Sequence, residues 1–292
     1  MAERSGIMLC HPMDEHRYNK WNCGVVITQP KLDGVRCRVI QDGPKVKLLS
    51  SSCEEIVSVP HINEYFENLI SDGYKIPELD GELYIHGEDF ESIHSIVSRT
   101  VNLHPEFYRA QFHVFDVAIE DCDQVSRMIK VNNFLHGITG DGKTCCPIQK
   151  VPVAIANSFT EIYDNYNAFL TDGYEGIIIR HPAAYYIRKR SPYIMNFKPK
   201  KDDFYLVLGV QEEISKDGLP KGRVGAFVCE GSTGDTFTCG SGLTAEDREK
   251  YWGVDLTGWL IHVQYQNITP GKGVPRFPVF MELINPKEVL ND

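Results

Sequence analysis

The sequence predicts an α+β chain in two parts. Antiparallel sheets with helices are expected over residues 1–200, and a small β-barrel over residues 201–292. Three observations carry this. A length of 292 residues suits one large domain or two of ordinary size. Up to about residue 200, apolar strand-like runs share the chain with segments at helical spacing. After Lys201, five short strand-like runs separated by glycine-rich turns fit a small closed barrel of the OB type.

In chain order, Val25-Val26-Ile27 reads as a strand. A turn carrying Lys31 to Gly34 follows, then a second strand on which Val35, Cys37 and Val39 alternate. Ile62, Tyr65, Phe66, Leu69 and Ile70 fall at helical spacing and predict a helix from His61 to Ser71, stopped at Asp72-Gly73. Phe112 to Val117 is an apolar strand. Ser158 with Glu161 reads as a capping box opening a helix that runs to Thr171 and stops at Gly173. Ile177 to Ile179 is a buried strand. The second part should hold strands at Phe204–Val210, Val224–Cys229, Asp235–Cys239, Trp259–Gln266 and Val279–Ile284, with one helix at Thr244–Tyr251.

Composition narrows the class. Apolar residues make up 42% and charged residues 24%, which marks a globular chain. No apolar run approaches the roughly 18 residues of a membrane span. Met1 to Met8 carry no apolar signal core, so a cytoplasmic location is expected. Nine cysteines without a C-x-x-C pair, Cys145 and Cys146 being adjacent, read as reduced thiols. The net charge of −10 argues against a surface coated for nucleic acid. After position 200, nine basic residues face fourteen acidic ones, so neither part is a basic module. A DNA partner would need a local stripe, such as Arg188-Lys189-Arg190, Lys198 with Lys200 and Lys201, or Lys216 through Lys221 to Arg223.

Five fragments carry chemistry. The first is Lys31-Leu32-Asp33-Gly34-Val35-Arg36. A lysine amine becomes a nucleophile when neighbouring cations and burial depress its pKa. Asp33 could orient that amine or a metal-bound water, and Arg36 suits a ribose hydroxyl or a phosphate. The second, Leu79-Asp80-Gly81-Glu82, places Glu82 on a strand leaving a turn, where it could accept from a ribose or serve Mg²⁺ through water. The third, Phe112 to Asp116, offers an aromatic to stack a base and an acid, Asp116, for a metal. In the fourth, Glu175 stands at the mouth of the Ile177–Ile179 strand, where a carboxylate is costly unless paired or bound to a cation. In the fifth, Lys198 and Lys200 on one strand face would converge on an α-phosphate and depress the pKa of Lys31. Taken singly, most of the fragments also fit ordinary turns and core strands.

Together and in this order, the fragments resemble the covalent nucleotidyltransferases, the superfamily of ATP-dependent DNA ligases and mRNA-capping enzymes. The resemblance implies an adenylation domain followed by an OB domain, with ATP and Mg²⁺ (or Mn²⁺) as cofactors. It makes Lys31 the adenylated nucleophile, Arg36 and Glu82 ribose contacts and Phe115 the stacking ring. Glu175 becomes the metal-site carboxylate, Lys198 and Lys200 the α-phosphate contacts, and Gln29 a reader of the adenine edge. Gly225-Ala226-Phe227-Val228, Gly240 to Thr244 and Arg276 to Phe280 resemble the OB domain of small DNA ligases in particular. The implied partner is nicked duplex DNA, met by Arg36, Arg188, Lys189, Lys201 and Arg223, and the implied state is a monomer. An RNA ligase, a capping guanylyltransferase and a non-catalytic ligase-shaped binding module remain alternatives. Two departures stand out. Ser50-Ser51-Ser52-Cys53 replaces the Ser-Arg with which such ligases often read a nick phosphate. The final Arg-x-Asp-Lys motif is reduced to Lys287, after Ile284 and Pro286.

Overall fold

The computed structural model describes residues 6–139, 147–198, 201–265, 268, 269 and 271–286. The chain divides into two compact units, Met1–Lys198 and Pro199–Asp292.

The first unit runs β1 (Leu9–Pro12), α1 (Glu15–Trp21), β2 (Val26–Lys31), β3 (Val35–Asp42), β4 (Lys45–Ser50), α2 (Pro60–Ser71), β5 (Leu79–Tyr84) and α3 (Phe90–Val97). It continues with β6 (Gln111–Val117), α4 (Gln124–Thr139), β7 (Ile148–Lys150), β8 (Ala154–Ala156), α5 (Phe159–Thr171), β9 (Gly176–Arg180) and β10 (Arg190–Phe197). These strands form two five-stranded sheets, ordered β1-β10-β9-β2-β8 and β4-β3-β5-β6-β7. Pairing is antiparallel except between β1 and β10 and between β6 and β7.

β2 and β3 lie in different sheets. The Lys31–Gly34 segment, expected as a turn between two strands, is a crossing from one sheet to the other. Each sheet has an apolar face under helices. Trp21, Val26, Ile162, Phe169, Ile177, Ile179 and Met195 form one core with α1 and α5. Cys37, Val39, Leu48, Phe66, Leu79, Leu83, Phe112 and Val114 form the larger core with α2. Each such side chain fully buried contributes roughly 1.5–3 kcal/mol.

The helix stops follow one device twice. After α2, Gly73 takes a φ of +91° and the Tyr74 amide donates to Leu69 O at 2.9 Å. After α5, Gly173 takes +85° and the Tyr174 amide donates to Phe169 O at 2.9 Å. Both are Schellman closures that need a left-handed residue, which glycine supplies at little cost. At the start of α5, Ser158 caps the Glu161 amide, but the Glu161 carboxylate turns to Asn157 and not to the Ser158 amide. The expected capping box is therefore only half formed. A complete one stands in the second unit, between Thr244 and Asp247.

That unit comprises β11 (Lys201–Ile214), β12 (Pro220–Glu230), β13 (Thr236–Cys239), α6 (Ala245–Lys250), β14 (Leu260–Tyr265) and β15 (Val279–Ile284). Its strand order is β13-β12-β11-β14-β15. β11 is longer than its sequence pattern suggests because it serves two partners. Lys201–Leu206 pair with β14, and the rest pairs with β12. The sheet curls back on itself where Ser241 bridges Val279 and the Phe280 amide donates to Ser241 O at 2.8 Å. Gly242, at φ +89°, permits this closure, because a Cβ there would lie 2.5 Å from Phe280 O. Val207, Val224, Phe227, Ile261 and Val263 fill the interior.

Candidate active site

The site lies between the two sheets of the first unit. Strand alternation decides which side chains reach it. From one sheet come Gln29 and Lys31, opposite Ile178 and Gly176, with Arg180 opposite Ile194. From the other come Arg36 opposite Glu82, and Glu82 opposite His113. A cavity of about 360 Å³ is lined by Gln29, Lys31, Arg36, Glu82, Phe115 and Arg180, among others. Its walls are pinned by the crossing segment. Leu32 inserts into the larger core, and Gly34 presses so close to β5 that a Cβ would sit 2.3 Å from Leu83 O. The Gly34 amide donates to Glu82 Oε1 at 3.1 Å.

Glu175 sits opposite the end of β2, its amide donating to Lys31 O at 3.1 Å. Its buried carboxylate accepts from Lys31 Nζ and, at 3.3 Å, from Lys198 Nζ. This corrects the expected effect of neighbouring cations on Lys31. Burial works against the ammonium, but Glu175, Glu82 and Asp33 outweigh it and hold the Lys31 pKa above its ordinary value. Lys198 is instead lowered, first by burial and then by Lys31. Burial also lifts Glu82, opposed by Lys31 and Arg36, to about 7. Lys200 lies outside the described residues.

Among the described residues no three acidic, histidine or cysteine side chains converge to hold a metal by themselves. The carboxylates near Lys31 nevertheless suit a hard divalent ion, which typically takes one or two carboxylates and completes its shell with phosphate oxygens and water. A buried carboxylate raised to about 7 is a group that a cation would relieve.

Asp116 is not among those carboxylates, and its expected metal role is corrected. Its side chain is fully buried and accepts from Arg127 Nε at 2.8 Å and Arg180 Nη1 at 3.0 Å. With the Val117 amide also donating to it at 2.9 Å, the carboxylate accepts four hydrogen bonds, as many as its lone pairs allow. Arg180 also donates to Gln29 Oε1 at 2.7 Å, which fixes that amide in the cavity wall. Arg36 is gripped by Asp80 at 2.7 and 2.6 Å, and Tyr186 donates to the same carboxylate at 2.7 Å. The Arg36 guanidinium lies 4.5 Å from the centre of the Phe115 ring, and that of Arg180 lies 5.4 Å away. The stacking ring expected at Phe115 is thus in the cavity wall, with two cations against it.

The expected DNA contacts separate into two kinds. Arg188 is paired with Glu78 and Glu120, and Arg223 with Glu213. Lys189 and Lys201 are exposed. In the Ser50–Cys53 turn, Ser50 Oγ accepts from the Ser52 and Glu54 amides, and Cys53 adopts φ +63°. Of the final motif, Ile284 ends β15, and Lys287 lies outside the described residues.

Sequence reasoning gave no role to Asp80, Arg127, Arg180 or Tyr186. Asp80 had a signal, since it shares a strand face with Glu82. Arg180 had one too, as a charge closing an apolar strand. Arg127 and Tyr186 reach Asp116 and Asp80 from distant segments, and no local pattern announces that.

A buried lysine between two sheets, bound to one carboxylate and flanked by a second lysine, is the arrangement expected of a nucleotidyltransferase domain, here followed by an OB barrel. Residues 7–198 match the model of the ATP dependent DNA ligase domain, and residues 217–283 match the DNA ligase OB-like domain. The chain belongs to the ATP-dependent DNA ligase family, enzymes that form phosphodiester bonds in DNA. A DNA ligase of Haemophilus influenzae is 26% identical over 202 residues, covering 69% of this chain and 70% of its own length. The solved structure Pmar-Lig_PreS3 aligns with a TM-score of 0.81 at 24% identity, over 95% of this chain and 67% of its own. A structure of the Lig E DNA ligases aligns with a TM-score of 0.76 at 22% identity, over 95% and 98%. These two structures share the fold. Among the described residues no helix is long and apolar enough to cross a membrane.

Proposed function

We propose that this ligase seals nicks in duplex DNA by carrying AMP on Lys31. The observation that supports this most is the Lys31 amine, which ends β2 inside the cavity and is bound to Glu175 with Lys198 on the same carboxylate. In the first transfer, Lys31 Nζ attacks the α-phosphorus of ATP. The N–P bond forms, the bond to the bridging oxygen breaks and pyrophosphate leaves. The ammonium must lose a proton first, and Glu175 already accepts a hydrogen bond from it. Lys198, released from Glu175, would stabilise charge developing on the α-phosphate, with Lys200 as its companion. Gln29 and Phe115 would hold the base, and Glu82 and Arg36 the ribose. Glu175, Glu82 and Asp33 would hold a Mg²⁺ that neutralises phosphate charge.

In the second transfer, an oxygen of the nick's 5′-phosphate attacks the AMP phosphorus and the Lys31 amine leaves. In the third, the 3′-hydroxyl attacks the activated 5′-phosphorus and AMP leaves. Lys189 and Lys201 would add a sequence-independent grip on the backbone. A cytoplasmic monomer is the setting this reading assigns. Intact mass after incubation with ATP and Mg²⁺, beside GTP and NAD⁺ controls, tests it. An AMP-sized gain with ATP alone, lost in Lys31→Ala, is expected. A gain that survives Lys31→Ala would remove Lys31 from the role.

A further inference from the structure

Of the five N–H groups of Arg36, three are engaged inside the first unit. Nε and Nη2 donate to the two oxygens of Asp80 at 2.7 and 2.6 Å, and Nη2 also donates to Met8 O at 3.2 Å. Among the described residues Nη1 has no hydrogen-bond partner, and Arg36 lines the cavity. The bonds behind the guanidinium close on themselves. The Met8 amide donates to Tyr186 Oη at 3.3 Å, and Tyr186 Oη donates to Asp80 Oδ2 at 2.7 Å. Arg36, Asp80, Tyr186 and Met8 thus form a ring in which each member bonds to the next. Met8, Tyr186 and Asp80 are 2% exposed or less, so water cannot stand in for a missing bond. The main chain before Met8 is held as well: the Gly6 carbonyl accepts from Arg38 at 2.7 Å and from Arg188 at 2.9 Å.

We infer that Tyr186 is a positioning residue for the nucleotide, holding Arg36 through this ring so that Nη1 meets a ribose hydroxyl. The inference rests on the reading of Lys31 as the AMP carrier, which puts the nucleotide in this cavity. Asp80 grips the guanidinium along one edge, and a guanidinium held along one edge can still pivot with its carboxylate. The Met8 carbonyl fixes a second direction, and Tyr186 ties that stretch of main chain to the same carboxylate oxygen. The guanidinium so fixed lies 4.5 Å from the centre of the Phe115 ring, the side chain expected to stack the base. A nucleotide whose base stacks there carries its sugar one glycosidic bond away, within reach of the two unengaged N–H groups. Tyrosine suits the task because burial and Asp80 hold its phenol pKa well above the ordinary value, so the hydroxyl stays a donor. Its ring also packs against the guanidinium groups of Arg127 at 5.5 Å and Arg188 at 5.8 Å, which limits how far it can turn.

Binding of ATP, 2′-deoxy-ATP and 3′-deoxy-ATP is measured by titration calorimetry without Mg²⁺, and AMP gain is followed by intact mass with it. The wild type should bind ATP more tightly than at least one deoxy analogue. Tyr186→Phe keeps the ring and removes the hydroxyl. The preference should then fall about fivefold, as expected for one net hydrogen bond, with little change in the affinity for that analogue. Gly6→Ala puts a Cβ 2.6 Å from Arg38 Nη1 at a φ of +75°, so it disturbs the ring from its other end and should act the same way. A merely structural tyrosine would weaken all three nucleotides alike, and that result overturns the inference. So does a wild type with no ribose preference. Combined variants check the route. Arg36→Lys should remove the preference, and Tyr186→Phe added to it should lower it no further; losses that simply add would show that Tyr186 acts elsewhere. A wild type that shows the ribose preference but never gains AMP sinks the Lys31 assignment instead, while the binding ratios still judge Tyr186.

Discussion

Replacing Asp116 by Asn separates a structural acid from a metal ligand. The Asp116 carboxylate has lost all solvent contact and holds two guanidinium groups that are 0% and 4% exposed. Four hydrogen bonds reach it, from Arg127 at 2.8 and 3.2 Å, from Arg180 at 3.0 Å and from the Val117 amide at 2.9 Å. Burial already pulls the Arg180 pKa down, Asp116 opposes that pull, and Arg127 adds to it. Asn keeps the shape and one acceptor but removes the only formal charge both arginines share. Breaking a buried pair from one side costs about 3–5 kcal/mol. For a unit of this size each kcal/mol shifts the midpoint by about 2–4 °C, so thermal unfolding should fall by roughly 10 °C. The Mg²⁺ concentration giving half-maximal adenylation, measured well below that midpoint, should not move. A variant with unchanged thermal stability and a raised Mg²⁺ requirement would refute the reasoning and return Asp116 to the metal.

Two further outcomes follow from charge. Glu82 is raised from the ordinary carboxylate range to about 7, so the folded ligand-free chain binds a proton that the unfolded chain has released. That contribution to stability is complete below about pH 4.5 and is lost as pH rises through 7. Urea midpoints at pH 5 and 8 should therefore fall further in the wild type than in Glu82→Gln; parallel falls would show that the acid is not raised. In nicked-DNA binding, Lys189→Ala and Lys201→Ala should each reduce the salt slope by about one. Arg188→Ala and Arg223→Ala should reduce it less, because Glu78 with Glu120, and Glu213, already neutralise them. Equal slopes for all four would show that the ion pairs open on DNA.

How much of this was legible depends on the range of each interaction. The stops of α2 and α5 were readable because a glycine two residues past the last helical one announces a left-handed closure by itself. The alternation of β3 and the apolar run of β9 were equally local. The crossing between sheets was not, because period-2 alternation is the same whether the next strand is a neighbour or belongs to another sheet. β11 outran its pattern for a related reason, since a strand that changes partners midway also changes which face is buried. In the site, residue types and spacing singled out Lys31, Glu82, Glu175 and Lys198, which the structure brings into one cluster. They misjudged the sign of the Lys31 shift because the acid that sets it, Glu175, is 144 residues away.

The ion pairs of the cavity are not equivalent, and the difference separates scaffold from reacting groups. Asp80 and Asp116 bind their arginines through two or three hydrogen bonds each, and both acids are fully buried. A phosphate arriving in the cavity cannot compete for those guanidinium groups without leaving a bare carboxylate behind, at a cost of several kcal/mol. Glu175 instead divides itself between two ammonium groups, each a single point charge on a flexible stem. A triphosphate can draw Lys31 and Lys198 away one at a time, and a divalent ion can take the carboxylate they release. Under the proposed reaction, the charges free to exchange would be those of Lys31, Lys198 and Glu175, while Arg36, Arg180 and Gln29 would keep their geometry. If Lys31 carries AMP as proposed, a cation taken up by Glu175 would remove the acid that raises the Lys31 pKa, and the amine would then become the better nucleophile toward an α-phosphate.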